Sequence, residues 1–383
     1  MCKQKHIFLF FVISYFISTK YVAFAQLDNT YLQDKININP SDSNRLGVSV
    51  NVFNYMRNTE YFNKIEVGRT LFGYQLNPSL FYQANPYVKL QAGIFLRNDF
   101  GGENPYTFAA PTYTVKAQKN NFSFLFGTLE SALSHRMIEP MFDVARVIEN
   151  RLENGFQVKY VSDNIFFDTW INWEKFIERG SPFKEQLTTG ANFDYTLFNP
   201  KTTNTKWNIS IINQVMLSHR GGQIDKDSIN KLYVKINTAT GFRLSKKYTN
   251  HFIKELRFEP YLLLYKENSS SGMPFDNGLA YYINGFVDTK YLGVMLSYWN
   301  AQNFIAPQGT AVYQAQSIDN AAYFSPSNKR ELFFVRFLYQ KPLYDKLYMT
   351  ARFEPFYDFK TTDIDYSYSF YVSYKMDNGF GKK

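Results

Sequence analysis

Apolar residues recur at every second position through most of the chain. The clearest run is C-terminal. Ile364, Tyr366, Tyr368, Phe370, Val372, Tyr374 and Met376 share one face, and Asp365, Ser367, Ser369, Tyr371, Ser373 and Lys375 share the other. This makes a strand of about 13 residues, where strands of soluble proteins average about 5–6. Strands tilted across a bilayer place about 9–11 residues in its apolar zone, so the length points to a membrane. The alternation returns at 88–97, 165–174, 191–197, 232–237 and 333–340, and no comparable window carries a helical period. The chain reads as all-β.

The pattern predicts sixteen strands: 45–57, 64–84, 87–98, 106–118, 121–129, 155–162, 165–176, 187–198, 205–218, 231–244, 253–267, 278–288, 290–299, 331–341, 346–359 and 363–376. The second is long and contains Asn77-Pro78, which marks a bend or a break. An even strand number favours a bend, within a range of 14–18. Connections alternate between short Asn/Pro/Asp/Lys turns and longer loops, the longest at 129–155 and 299–331. Such alternation belongs to a single closed antiparallel transmembrane β-barrel with short periplasmic turns and long outside loops.

Composition narrows this further. The 383 residues include 30 Tyr, 38 Phe, 4 Trp and 1 Cys. That aromatic content excludes disorder. After residue 25 no apolar run approaches the ~20 residues of a membrane helix. The mean hydropathy of −0.34 is what alternating barrel strands average to. Residues 1–25 carry the features of a cleaved secretory signal: Lys3 and Lys5, an apolar stretch over 7–17, and Ala23-Phe24-Ala25 before Gln26. Cys2 leaves with it. Loss of Lys3, Lys5 and Lys20 takes the formal charge from +9 to +6, and no basic cluster suggests nucleic acid. The expected organisation is a signal at 1–25, a short N-terminal periplasmic segment at 26–44 that serves as tail or plug, and a barrel at 45–383.

If the apolar face meets lipid, the other lines a lumen. Ten cations are assigned there: Lys89, Arg97, Lys116, Lys159, Lys235, Arg243, Arg257, Arg336, Arg352 and Lys375. Seven anions join them: Asp99, Asp168, Glu174, Asp194, Glu259, Glu354 and Asp365. The mixture leans weakly towards anions, and rings of charge set selectivity in channels. The charges serve equally well to pair across strands and hold a filled barrel in register. Arg257-Phe258-Glu259-Pro260 recurs as Arg352-Phe353-Glu354-Pro355, from a shared rim design or a duplicated hairpin.

Catalytic patterns are sparse. His135 and His219 stand in repeated Ser-His-Arg triplets at the starts of outside loops, where they read as solvated rim residues. No orienting group or close ligand set accompanies them, so no enzymatic role, cofactor or metal is expected. Tyr281, Tyr282, Tyr291, Tyr298, Trp299 and Tyr339 near strand ends suit interfacial girdles. Trp170, Phe286 and Tyr371 point inward. The loop at 129–154 is amphipathic enough for a short helix, and it and 300–330 either fold into the lumen or cap the surface.

On signal, strand length, period and loop alternation, the chain resembles bacterial outer-membrane β-barrels of the porin-like kind. The resemblance is architectural and covers about 45–383. One departure is the tail after Tyr374-Lys375-Met376, where such barrels commonly end on an aromatic. It implies an outer-membrane location, contact with outer-membrane lipid, and diffusion of small hydrophilic solutes with a weak anion preference. Two alternatives stay open: a plugged barrel that binds or scaffolds an envelope partner, and a substrate-specific transporter. Homo-oligomerisation is open too.

Overall fold

The structure, a computed structural model, describes residues 27, 29–130, 132–199, 207–249, 251–268, 275–317, 320 and 322–380; the signal at 1–25 lies outside them. Sixteen antiparallel strands close into one barrel. They are β1 Arg45–Glu60, β2 Thr70–Asn85, β3 Val88–Asp99, β4 Phe108–Lys119, β5 Phe122–Thr128, β6 Asn154–Val161, β7 Ile165–Lys175 and β8 Glu185–Phe198. The second half comprises β9 Asn208–Gly221, β10 Tyr233–Lys247, β11 Ile253–Glu267, β12 Asn277–Thr289, β13 Gly293–Gln302, β14 Lys329–Tyr344, β15 Leu347–Asp358 and β16 Ile364–Gly379. Each strand pairs with its chain neighbours, and β1 closes on β16 from Gly47↔Gly379 to Glu60↔Tyr366.

The alternation sorts as lipid demands. Along β16, Asp365, Ser367, Ser369, Tyr371 and Ser373 are buried inside, while Ile364, Tyr368 and Phe370 are exposed outside. Leu80, Phe126, Phe193, Val215, Leu264 and Leu296 continue that outer belt. In water such a belt would be an aggregation surface; around a closed barrel it is the lipid contact. β2 is one strand, with Pro78 paired to Val50.

Three expectations change. The strand predicted from 64 begins at Thr70, because 61–69 forms a tight outside loop. There Asn63 Oδ1 accepts the N–H groups of Ile65 and Glu66, and Asp365 accepts from the Phe62 N–H at 2.8 Å. The tail predicted after Met376 begins as strand, since Asp377, Asn378 and Gly379 pair with Ser49, Val48 and Gly47. Tyr282 and Trp299, expected in a girdle, are buried in the lumen. Tyr281 and Tyr291 remain on the exposed outer surface.

The belt makes a direct prediction. Phe370→Arg should destabilise the folded barrel by about 2–4 kcal/mol, and Tyr344→Arg near the inner rim by about 0–1 kcal/mol. Denaturant unfolding in lipid vesicles measures both; equal costs would contradict the assigned belt.

Candidate functional site

Sixteen strands enclose more space than wall side chains fill. Here three segments occupy it. The N-terminal residues 29–39 run along the inner wall, the described residues of the 129–153 loop fold inward, and 303–317 pack beside them. The wall holds the first by its carbonyls. Lys116 donates to Ile36 O at 2.7 Å, Lys89 to Asn37 O at 3.2 Å, and Ser373 to Tyr31 O at 3.0 Å. The second and third build an apolar core inside the barrel. Met137, Ile138, Met141 and Phe142 meet Phe304, Ile305 and Val312, backed by Trp170, Met216, Leu263 and Trp299 from the wall. The amphipathic pattern of 129–154 therefore yields buried, largely irregular chain with two short helical turns, at Ala132–His135 and Arg146–Glu149.

Ion pairs fix the rest. Glu130 binds Lys116 at 2.7 Å and Lys159 at 2.8 Å. Burial alone would raise the Glu130 carboxyl, but the two ammonium groups hold it well below the usual carboxylate range. Arg151 meets Asp34 at 2.7 Å, tying loop to N-terminal segment. Glu139 bridges Arg336 at 3.1 Å and Arg352 at 3.0 Å, and Glu354 bridges the same pair at 3.2 and 2.8 Å.

His135 is the most enclosed of these groups. It is fully buried in the lumen, not solvated at the rim. Its ring stacks on Trp170 at 3.5 Å, with Asp168 on Nδ1 and Glu153 on Nε2, each at 2.8 Å. Burial alone would lower its pKa, yet the Glu153 and Asp168 carboxylates raise it above the ordinary value. A ring holding a carboxylate at each nitrogen has no lone pair for a neighbouring hydroxyl. Ser134 instead accepts from Lys159 at 2.9 Å and donates to the Glu130 carbonyl. Ser134 and His135 form a structural clamp. They are not a nucleophile and base.

The remaining sequence candidates scatter along the wall. Lys89 pairs with Asp377 at 2.7 Å, and Arg97 with Asp99 at 2.7 Å. Arg257 lies 3.4 Å from Glu259, and Glu174 accepts from Thr188 at 2.8 Å. His219 is half-buried near the outer end of β9. Trp170, Phe286 and Tyr371 do point inward, but against the filling. Sequence reasoning missed Asp34, Glu130, Glu139, Arg151 and Glu153; for the three glutamates the available signal was acidic residues punctuating an otherwise apolar loop.

With this geometry in view, comparisons bear on identity. A family described as "Lipid A 3'-O-deacylase-type" matches residues 38–383. No curated protein matches the sequence. Among solved structures, Pseudomonas aeruginosa OprD aligns with 91% of this chain and 100% of its own at 9% identity and TM-score 0.50. Vibrio cholerae OmpT lacking loop L8 covers 86% and 99% at 11% identity and TM-score 0.49. Acinetobacter baumannii OccAB3 covers 87% and 99% at 11% identity and TM-score 0.47. The OprD likeness concerns the fold: a porin-like outer-membrane barrel, in agreement with the lipid-facing belt. The family match corrects one expectation. It names a deacylase, so the reading of the chain as without enzymatic role is overturned.

The clamp predicts a pH response. His135 is held charged in the fold, so its contribution is complete below its ordinary pKa of about 6.5 and fades as pH rises through the raised value. Protease sensitivity of 129–153 should therefore rise with pH, and His135→Gln should be sensitive at every pH. Breaking such a buried pair costs about 3–5 kcal/mol. A pH-independent wild type would refute the clamp.

Proposed function

The chain belongs to the lipid A 3'-O-deacylase-type family, and on that membership we propose that it hydrolyses an acyl ester of a lipid A-type glycolipid in the outer leaflet. The carrying observation is the match over 38–383, which spans the whole barrel. In the reaction, water adds to the ester carbonyl, the acyl–oxygen bond breaks, and a free fatty acid and a sugar hydroxyl result. The packed lumen supports this reading by its consequence. With three segments filling the interior, the surfaces left to a lipid are the outer belt and the outer rim.

A second reading rests on its own observation. Two small cavities border β1 and β16, the outer one reaching β14 and β15 as well. The outer, about 20 Å³, is lined by Arg57, Arg336, Arg352, Glu139, Asp143 and Glu354 among others. The inner, about 10 Å³, is lined by Asp34, Arg151 and Lys375 among others. Together these hold five cations against four anions. Phe53, Tyr55 and Tyr371 stand in the same wall. This arrangement supports slow passage of small hydrophilic solutes with a weak anion preference, narrower than free diffusion through an open barrel.

Two measurements separate the readings. Incubating the refolded barrel with lipid A in mixed micelles should release one ester-linked acyl chain by mass spectrometry; unchanged lipid A would sink the hydrolase. In planar bilayers the second reading expects small, weakly anion-selective steps that grow in Tyr371→Ala. Silence from both proteins would remove it.

A further inference from the structure

The outer cavity contains one arginine that makes no hydrogen bond and no close ion pair. Arg57 faces inward from β1, near its outer end, and is 8% exposed. Among the described residues it makes no hydrogen bond and no ion pair within 4.0 Å. Its charged neighbours are already engaged. Glu139 and Glu354 each bridge Arg336 and Arg352, a set that is neutral in itself. Asp143 lies nearby, but its Oδ1 accepts from the Ala145 N–H and the Thr310 hydroxyl, each at 2.9 Å. A second donor is also unmet: the buried Nε of Arg352, which lines the same cavity.

A buried guanidinium without hydrogen-bond acceptors is destabilising unless something supplies them. Planar N–H forks bind carboxylate or phosphoryl oxygens by paired, charge-assisted hydrogen bonds. We propose that Arg57, with Arg352 behind it, forms a binding site for the oxyanion head of a small solute in the outer cavity. About 20 Å³ of free space limits what enters to a head group of one or two water volumes. Tyr61, Phe334 and Phe356 line the same cavity and supply apolar walls for whatever the head carries. The site shares its cavity with the second reading above, but neither lipid hydrolysis nor conduction is needed to fill it.

Thermal unfolding of the refolded barrel in detergent tests this. Sodium acetate or sodium phosphate is titrated at constant ionic strength set by a bulky sulfonate. The wild type should show a saturable rise in melting temperature with at least one anion. Acetate alone would identify a carboxylate head, phosphate alone a phosphoryl head. Arg57→Gln should lose the rise. Arg69→Gln, which removes an outer-rim arginine paired to Glu149, should keep it. No saturable rise in the wild type, or an equal rise in Arg57→Gln, overturns the site. Should Arg57→Gln fail to fold, selenate-soaked wild-type crystals decide: anomalous density beside Arg57 supports the site, and its absence overturns it.

Discussion

A closed sheet in a bilayer must turn its polar side chains inward, because lipid solvates neither backbone nor charge. With sixteen strands, that rule creates a wide interior lined by Arg, Lys, Asp and Glu from the wall. Everything else in this molecule answers the question of what those groups meet. Water would satisfy them, as in an open pore. Here the chain itself does so, by returning three of its segments to the lumen. Glu130 neutralises Lys116 and Lys159, Glu139 joins Arg336 to Arg352, and Asp34 meets Arg151.

Those pairs and the apolar core have different jobs. Burying Met137, Ile138, Met141 and Phe142 among Trp170, Leu263 and Trp299 gives a non-directional gain of roughly 1.5–3 kcal/mol per large side chain. An apolar contact of that kind tolerates sliding. Buried ion pairs contribute little net stability, because desolvation offsets attraction, but a misplaced one leaves two charges unmatched. The ionic contacts therefore fix where the loop sits, and the apolar ones hold it there. His135 combines both roles in one ring: its face stacks on Trp170 and its edges carry two carboxylates.

The division also explains what could be read from sequence. Lipid imposes a period of two on every strand, so the strand count, the even parity and the inward charges are visible in one dimension. The same period says nothing about what the inner face touches. Tyr282 and Trp299 looked interfacial because tyrosine and tryptophan near strand ends usually are, yet both support the inner core. His135 looked solvated because Ser-His-Arg opens a long loop, and no local signal marks a loop that folds inward. Its partners Glu153 and Asp168 lie 18 and 33 positions away. Loop 61–69 was invisible for a related reason: its cap depends on Asp365, some 300 positions away, across the β1–β16 seam.

That seam borders both cavities. Apolar packing and ion pairs are interleaved around the wall: Trp170, Leu263 and Trp299 back the inner core, while Arg336, Arg352 and Glu354 on β14 and β15 line the outer cavity with Arg57 of β1. Packed interiors deform little, so the apolar core is a rigid support for the charged groups around it. The charged groups around the outer cavity have the opposite character: they are long, hydratable and near the outer end of the barrel. The lipid-facing belt and the cavities share a wall but no side chains, because successive residues of each strand point to opposite faces.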